Sequence, residues 1–336
     1  MKLEDIGFYT LSDARAKAVS WRSPMWRCEM ILTDRCNFSC AYCRGPRQEW
    51  KGEMPRETAM ATLSHWITDG LRNVRFSGGE PLLYPHLADL VRRARAGNVG
   101  RIAISSNGSM PWRRYEHLVK LGVNDWSISF DACCSSGCKE MSGGVDAFER
   151  ITENIRLLSR VSYVTVGVVI TDQNAFEIAD IIHSAAALGV DDIRIISAAQ
   201  QTDALLALGE QLQSLPRELY DQMPILKYRV TNLLLRNRNV RGIGECDSSR
   251  CHLLKDDMVV AGGHHYPCVI YMREHGDPVG PVGPDMREDR RRFFEKLDTH
   301  VDPICRANCL DVCIDHNNVC EKNLTAKPIM GGHYSE

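Results

Sequence analysis

A chain of 336 residues, 44% hydrophobic and 25% charged, holds enough apolar material for one large core and a smaller appended unit. A net charge of −2 and a pI near 6.6 exclude the basic excess of a constitutive nucleic-acid binder, though not a local nucleic-acid groove. The N-terminus has no apolar signal core and no stretch runs 18 apolar residues without a charge, so neither a leader nor a membrane span is expected, and the protein is expected to be soluble and cytoplasmic.

In chain order, strands are predicted near 26–33, 73–77, 101–105, 125–130, 163–170 and 192–197. Helices fall between them, near 55–69, 84–96, 111–121, 145–159 and 174–188. Pro55 suits a first helical turn, Gly70 and Gly122 suit helix stops, and Asp172 or Asn174 suits a helix start. Such alternation is the sequence form of repeated βα units around a parallel sheet. Six units fit an α/β fold of the partial TIM-like (β/α)6 barrel type, with its active site at the C-terminal ends of the strands. From about 200 to 237 the pattern turns helical, with Leu205, Leu206, Leu208, Leu212, Leu233, Leu234 and Leu235 among charged residues, and reads as a bridge packed on the barrel. A composition rich in Cys, Gly and Pro from 246 onward places a boundary near 240. The expected division is an N-terminal segment over 1–22, a barrel over 23–200, a bridge over 201–240 and a small Cys-rich extension over 241–336.

In a reducing cytosol fourteen cysteines are not expected to form a disulfide framework; thiolates there usually serve metals or catalysis. Cys36, Cys40 and Cys43 follow the first predicted strand, which puts them on a loop at the barrel mouth. Three soft thiolates within eight residues suit iron-sulfur ligation and leave one iron of a four-iron cube without a protein ligand. A closed zinc site wants a fourth ligand nearby, and Arg44 to Trp50 supply no Cys or His. The CxxxCxxC spacing, with Tyr42 just before the last cysteine, resembles the motif of the radical S-adenosylmethionine (SAM) superfamily.

That resemblance covers roughly residues 23–200 and implies further sites. Ser77-Gly78-Gly79-Glu80-Pro81 ends the second strand, where family members bind the amino group of SAM; its glycines would let backbone approach the ligand and Glu80 would receive the ammonium. Ser105, Ser106 and Asn107 end the third strand, and Ser129 and Asp131 the fourth, where the resemblance implies contacts to SAM ribose or carboxylate. Each of these polar residues alone also suits a turn or a helix cap. The implied chemistry is reductive cleavage of SAM to a 5′-deoxyadenosyl radical that abstracts hydrogen from substrate, with electrons from a donor such as flavodoxin or ferredoxin.

Seven cysteines lie beyond residue 245. The run from Cys251 through Gly263 to Cys268 resembles the opening of the SPASM or twitch extension of radical SAM enzymes, a hairpin that ligates an auxiliary [4Fe-4S] cluster, and Cys246 stands where many members place another ligand. Cys305, Cys309 and Cys313, then Cys320, depart from the full SPASM spacing. At least one auxiliary cluster is expected from Cys246, Cys251, Cys268, Cys305, Cys309 and Cys313, with a structural zinc knuckle as the alternative. His264 and His265 are expected at the surface of the hairpin. Cys133, Cys134 and Cys138 follow the fourth strand and read as a loop with incidental cysteines, or as a hydrogen-atom donor near the mouth.

About 22 residues precede the first strand, which favours a small or nucleotide-like substrate over peptide maturation. The segment 302–313 resembles radical SAM proteins of bacteriophages and metagenomic contigs, some linked to thymine hypermodification in DNA. That resemblance implies an isomerase that rearranges a glycyl-thymine adduct, acting in the host cytoplasm, with Arg290, Arg291 and Arg292 or Arg236, Arg238 and Arg241 reaching phosphates or forming a solvated helix face. Other readings are a radical SAM dehydrogenase, epimerase or decarboxylase on a small metabolite, sugar or peptide, or a non-catalytic iron-sulfur or zinc protein, which would not require the Gly-Gly-Glu turn.

Overall fold

The computed structural model describes residues 13–44, 52–198, 208–236 and 238–325. Leu205 and Leu206 lie outside them. A short helix α1 (Asp13–Ala18) precedes the first strand. Six βα-type strands follow: β1 (Arg27–Ile31), β2 (Asn73–Ser77), β3 (Arg101–Ser106), β4 (Asp125–Ser129), β5 (Tyr163–Ile170) and β6 (Asp192–Ser197). Between them run α2 (Arg56–Thr68), α3 (Leu87–Ala96), α4 (Trp112–Leu121), α5 (Ser135–Met141), α6 (Phe148–Ser159) and α7 (Ile178–Ala187). The helix phases follow their apolar positions. α3 buries Leu87, Leu90, Val91 and Ala94, and α6 buries Ile151, Asn154, Ile155 and Leu158, each a single stripe at helical spacing facing the sheet. Gly122 ends α4 in the left-handed region at φ 116°.

All six strands lie in parallel, in the order β6-β5-β4-β3-β2-β1, as a curved sheet covered by helices. β1 stops at Ile31, short of the predicted 33, because the chain turns to bond elsewhere: Met54 N–H donates to Leu32 O at 2.8 Å and Asp34 N–H to Gly52 O at 3.0 Å. Trp66, Trp126, Tyr115 and Phe76 are among the largest fully buried side chains of the core.

The predicted bridge contains α8 (Gly209–Gln213), α9 (Arg217–Gln222) and α10 (Pro224–Leu234). Asp192 at the start of β6 accepts from Ile225 N–H at 2.9 Å and Leu226 N–H at 3.2 Å, which satisfies the open amides of α10 and docks it on the barrel. The Cys-rich extension continues the same sheet. β7 (Asp257–Ala261) pairs parallel with β1, and β8 (His264–Tyr266) and β9 (Gly280–Pro281) add antiparallel strands beyond it. Arg15 on α1 donates to Asp256 at 2.6 Å and Asp257 at 2.9 Å, and Arg27 to Asp257 at 2.6 Å, so buried ion pairs lock β7 to the chain's first elements. Next come α11 (Val269–Arg273), α12 (Met286–Lys296), α13 (Pro303–Asn308) and α14 (Asp311–Thr325).

Three surface expectations are corrected. His265 is fully buried, facing Asp289 from β8, whereas His264 is exposed. Arg290 is 1% exposed and donates to the carbonyls of Leu254, Tyr266 and Asp257, pinning α12 beneath the hairpin, while Arg292 pairs with Asp289 and Arg291 lies over Trp21. Arg241 is buried too, whereas Arg238 pairs with Asp315 and Arg236 donates to Asn232.

Candidate active site

The C-terminal ends of the strands open into a cavity of about 450 Å³. Its wall includes Cys36, Cys40 and Cys43, the Gly78-Gly79 turn, Ser105 to Asn107, Ser129 and Asp131. The cysteine loop is held from two sides. Toward β2, Gly79 N–H donates to Thr33 O at 2.7 Å and Glu80 N–H to Arg35 O at 2.8 Å; a Cβ at Gly79 would stand 2.3 Å from Arg35 O. The glycines therefore serve an approach of backbone to backbone, setting the β2 turn against the base of the loop. Toward α5, Ser39 N–H donates to Ser142 O at 2.9 Å, and a Cβ at Gly143 would stand 2.3 Å from Ser39 O.

Side chains complete the frame. Tyr42 donates its hydroxyl to Asp131, which also accepts from Val169 N–H at 2.6 Å, so Asp131 lashes the loop to β5. Burial pushes Asp131 up to about 6. Asn107 donates to Asn37 Oδ1 at 2.9 Å and reaches Cys36 Sγ at 3.8 Å. Glu80, expected to face an ammonium, is fully buried and accepts from Leu82 N–H, Asn107 N–H and the Ser106 hydroxyl, bracing the β2 and β3 turns against each other. Its burial raises it to about 7. Ser129 is exposed to the cavity.

The same cavity is closed from the other side by Cys251, Cys268, Cys305, Cys309 and Cys313. Burial pushes the Cys251 and Cys313 thiols up to about 12 and those of Cys268, Cys305 and Cys309 upward as well, and neighbouring thiols add to the shift at Cys251, Cys305 and Cys309. Buried thiols that disfavour one another's charge fit a polynuclear cation that would deprotonate and share them. Among the described residues no three His, Cys, Asp or Glu side chains close on one point as a mononuclear ion requires; the thiols border a wider space. Cys246 is exposed and stands outside this wall. Cys320 is buried beside His316 at 3.5 Å on α14. Cys134 caps α5 and Cys133 reaches Glu177 at 3.6 Å, so the segment read as a loop is partly helical, with Cys138 lining the cavity.

Sequence reasoning did not single out Arg44, Arg194 and Arg273 on the wall, nor Asn37 and Gly143 behind the loop. They come from segments far apart in the chain and carry no local spacing.

A parallel partial barrel whose strand ends present a thiol triad beside a Gly-Gly turn has the architecture of a radical SAM domain. Residues 30–185 match the family model described as the Radical SAM superfamily, and this segment is a domain of that superfamily. Among curated proteins, a probable GTP 3′,8-cyclase of Sulfurisphaera tokodaii is 25% identical over 220 residues, 63% of this chain and 67% of the relative. The PqqA peptide cyclase of Gluconobacter oxydans is 30% identical over 196 residues, 55% of this chain and 54% of the relative. Such matches span from about half to two thirds of the relatives' lengths. Among solved structures, native anSMEcpe with bound AdoMet has a TM-score of 0.59 at 15% identity, over 89% of this chain and 95% of that one. Streptococcus suis SuiB bound to S-adenosylmethionine has a TM-score of 0.58 at 15% identity, over 81% of this chain and 66% of that one. At these identities the likeness is one of fold. No helix among the described residues is long and apolar enough to cross a membrane.

Proposed function

We propose that this chain reductively cleaves SAM at a [4Fe-4S] cluster held by Cys36, Cys40 and Cys43, in order to abstract hydrogen from a substrate lodged in the same cavity. The observation that carries this reading is the convergence of the three thiols, the Gly78-Gly79 turn and the polar ends of β3 and β4 on one cavity. Bound there, cluster and SAM would supply the one-electron chemistry that the protein's own side chains lack. The chain's part is positional. Gly79 and Gly143 fix the thiol loop, the Tyr42–Asp131 bond and Asn107 orient it, and Glu80 keeps the β2 and β3 turns in register, while Ser106, Asn107 and Ser129 face SAM.

Four of the five thiols on the opposite wall would hold an auxiliary [4Fe-4S] cluster, in a functional unit we place at 241–336 beyond the barrel over 23–200. The donor would be a flavodoxin or ferredoxin of the cytoplasm. For the net reaction we carry the isomerisation of a glycyl-thymine adduct, supported by the resemblance of segment 302–313.

Anaerobic reconstitution tests the core of this reading. The reduced protein is expected to form 5′-deoxyadenosine from SAM, and joint replacement of Cys36, Cys40 and Cys43 by Ala to abolish it; undiminished cleavage in that variant would overturn the assignment. The same variant is expected to keep about four irons per chain, and zinc in their place would make the second site a structural zinc. Glycyl-thymine DNA given with SAM and reductant should yield a nucleoside of unchanged mass and altered retention. Return of the adduct intact while SAM is consumed removes the thymine isomerase reading and leaves the radical SAM assignment standing.

A further inference from the structure

Along β1 the side chains alternate. Cys28 and Met30 enter the core between sheet and helices, while Arg27 and Glu29 point into the cavity. The carboxylates on this wall are unequally used. Asp131 accepts from the Tyr42 hydroxyl and Val169 N–H, and Asp257 pairs with Arg15 and Arg27. Glu29 is 9% exposed, and its one hydrogen bond to a described residue comes from the Ser77 hydroxyl, at 2.5 Å on Oε1. Oε2 has no donor among the described residues and opens on the cavity, and no described cation is ion-paired with the group. Its register neighbour on β2, Arg75, acts on Asp125, across the small Ala103 that stands beside both on β3. A buried carboxylate oxygen without a donor is costly, and the ordinary resolution is a donor that arrives with the ligand.

We infer that Glu29, held by Ser77, is the subsite for an ammonium group of the substrate, which makes the substrate an amine. The Ser77 bond fixes the carboxylate and leaves Oε2 as the acceptor presented to the chamber. An ionised carboxylate only accepts, so whatever completes it must donate, and an ammonium donates while also supplying the opposite charge. A hydroxyl would satisfy the oxygen and leave the charge buried. The neighbouring charges close on one another, Arg15 and Arg27 against Asp256 and Asp257, and Arg75 against Asp125, so that Glu29 is the group left over. The register sets Ile31 opposite Ser77, and Glu29 one step deeper opposite Arg75. The carboxylate therefore lies below the Gly78-Gly79 turn, on the floor of the chamber and not at the rim where the thiol loop stands. That depth favours the substrate over SAM as the source of the nitrogen. The inference rests on the proposed function only in taking this cavity as the substrate chamber.

Calorimetric titration of the anaerobically reconstituted protein, with SAM present and no reductant, tests it using benzylamine, benzyl alcohol and benzoate. These probes share one ring and differ in the charge and donors of the arm. Benzylamine is expected to bind about tenfold or more tighter than the alcohol or the acid, the scale of one charge-assisted hydrogen bond. Glu29→Gln keeps an acceptor for the Ser77 hydroxyl and should bring the amine down to the level of the alcohol, while the affinity for SAM, titrated separately, is unchanged. Should Glu29→Gln fail to fold, Glu29→Asp decides the matter: it keeps the charge, withdraws it by one methylene and should weaken the amine several-fold. Equal binding of amine and alcohol, no binding of the amine, or an amine affinity untouched by the substitution overturns the proposal. So does a loss of SAM affinity as large as that of the amine, which would assign Glu29 to the ammonium of the cofactor. If the wild type cleaves no SAM yet binds benzylamine through Glu29, the proposed function fails and the amine subsite stands.

Discussion

At Gly79 one added methyl group decides whether the thiol loop can lie where it does. The contact of 2.3 Å with Arg35 O involves backbone on both sides, so no side chain can swing away to relieve it. Gly189 offers the matched control: its φ is +80° but its Cβ direction is empty, so Gly189→Ala carries only the conformational penalty of about 1–2 kcal/mol. Gly79→Ala carries a packing penalty instead, about 1–3 kcal/mol for overpacking of this kind, and it should also displace the loop. We expect a lowered melting temperature in both variants and a fall in iron bound at the Cys36, Cys40 and Cys43 site in Gly79→Ala alone. Full iron loading in Gly79→Ala would show that the close approach does not set the loop. Glu80 and Asp131, expected as cofactor contacts from their motif positions, also brace the chain itself by accepting from its own donors.

Among the elements, the joint between β6 and α10 is one whose strength should follow pH. Burial raises Asp192 to about 6 against the pull of the Ile225, Ile193 and Leu226 amides, whereas in the unfolded chain it titrates near the ordinary 3.8. The folded state then holds a proton that the unfolded state has released between about pH 4 and 6, so the stabilisation is present below pH 4 and is lost as pH rises through 6, an effect of at most ~3 kcal/mol. Denaturant titrations at a series of pH values should show this decline in the wild type and a flatter profile in Asp192→Asn; parallel profiles would dismiss the role of this carboxylate. The elements themselves were largely legible in the sequence. Strands β1 to β6 are short apolar runs between amphipathic stretches, and their order follows from the βα alternation. α5 was missed because Cys133-Cys134-Ser135-Ser136-Gly137-Cys138 has no apolar period; its start is set by the Cys134 side chain accepting from Gly137 N–H. The spacing of Cys36, Cys40 and Cys43 was legible because it is local, and the C-terminal cysteines were singled out by their number and spacing; that Cys251, Cys268, Cys305, Cys309 and Cys313 face the same cavity as the first triad was not, since it depends on how distant segments close over the barrel.

For the molecule as a whole, the extension and the barrel share one sheet, and this has a consequence for any attempt to separate them. β7 supplies the hydrogen-bonding partner on the open side of β1, and β1 leads directly into the thiol loop. Removing everything after residue 240 would leave β1 as an exposed parallel edge, a template for pairing with other chains. It would also strip Arg15 and Arg27 of Asp256 and Asp257, the ion pairs that tie the chain's first elements to the extension, and take away α14, on which α1 packs. Against a total stability of about 5–15 kcal/mol for a domain, the loss of this packing and of the β1–β7 ladder is decisive. We therefore expect a chain ending at residue 240 to aggregate on expression or to unfold without a cooperative transition, and not to load the N-terminal cluster. Restoring the missing part as a separate polypeptide, residues 241 to 336, should recover soluble material only when the two are co-expressed. A truncated chain that remained monomeric, melted cooperatively near the temperature of the intact protein and bound iron at Cys36, Cys40 and Cys43 would show instead that the barrel stands without β7, and that the shared sheet serves the substrate cavity alone.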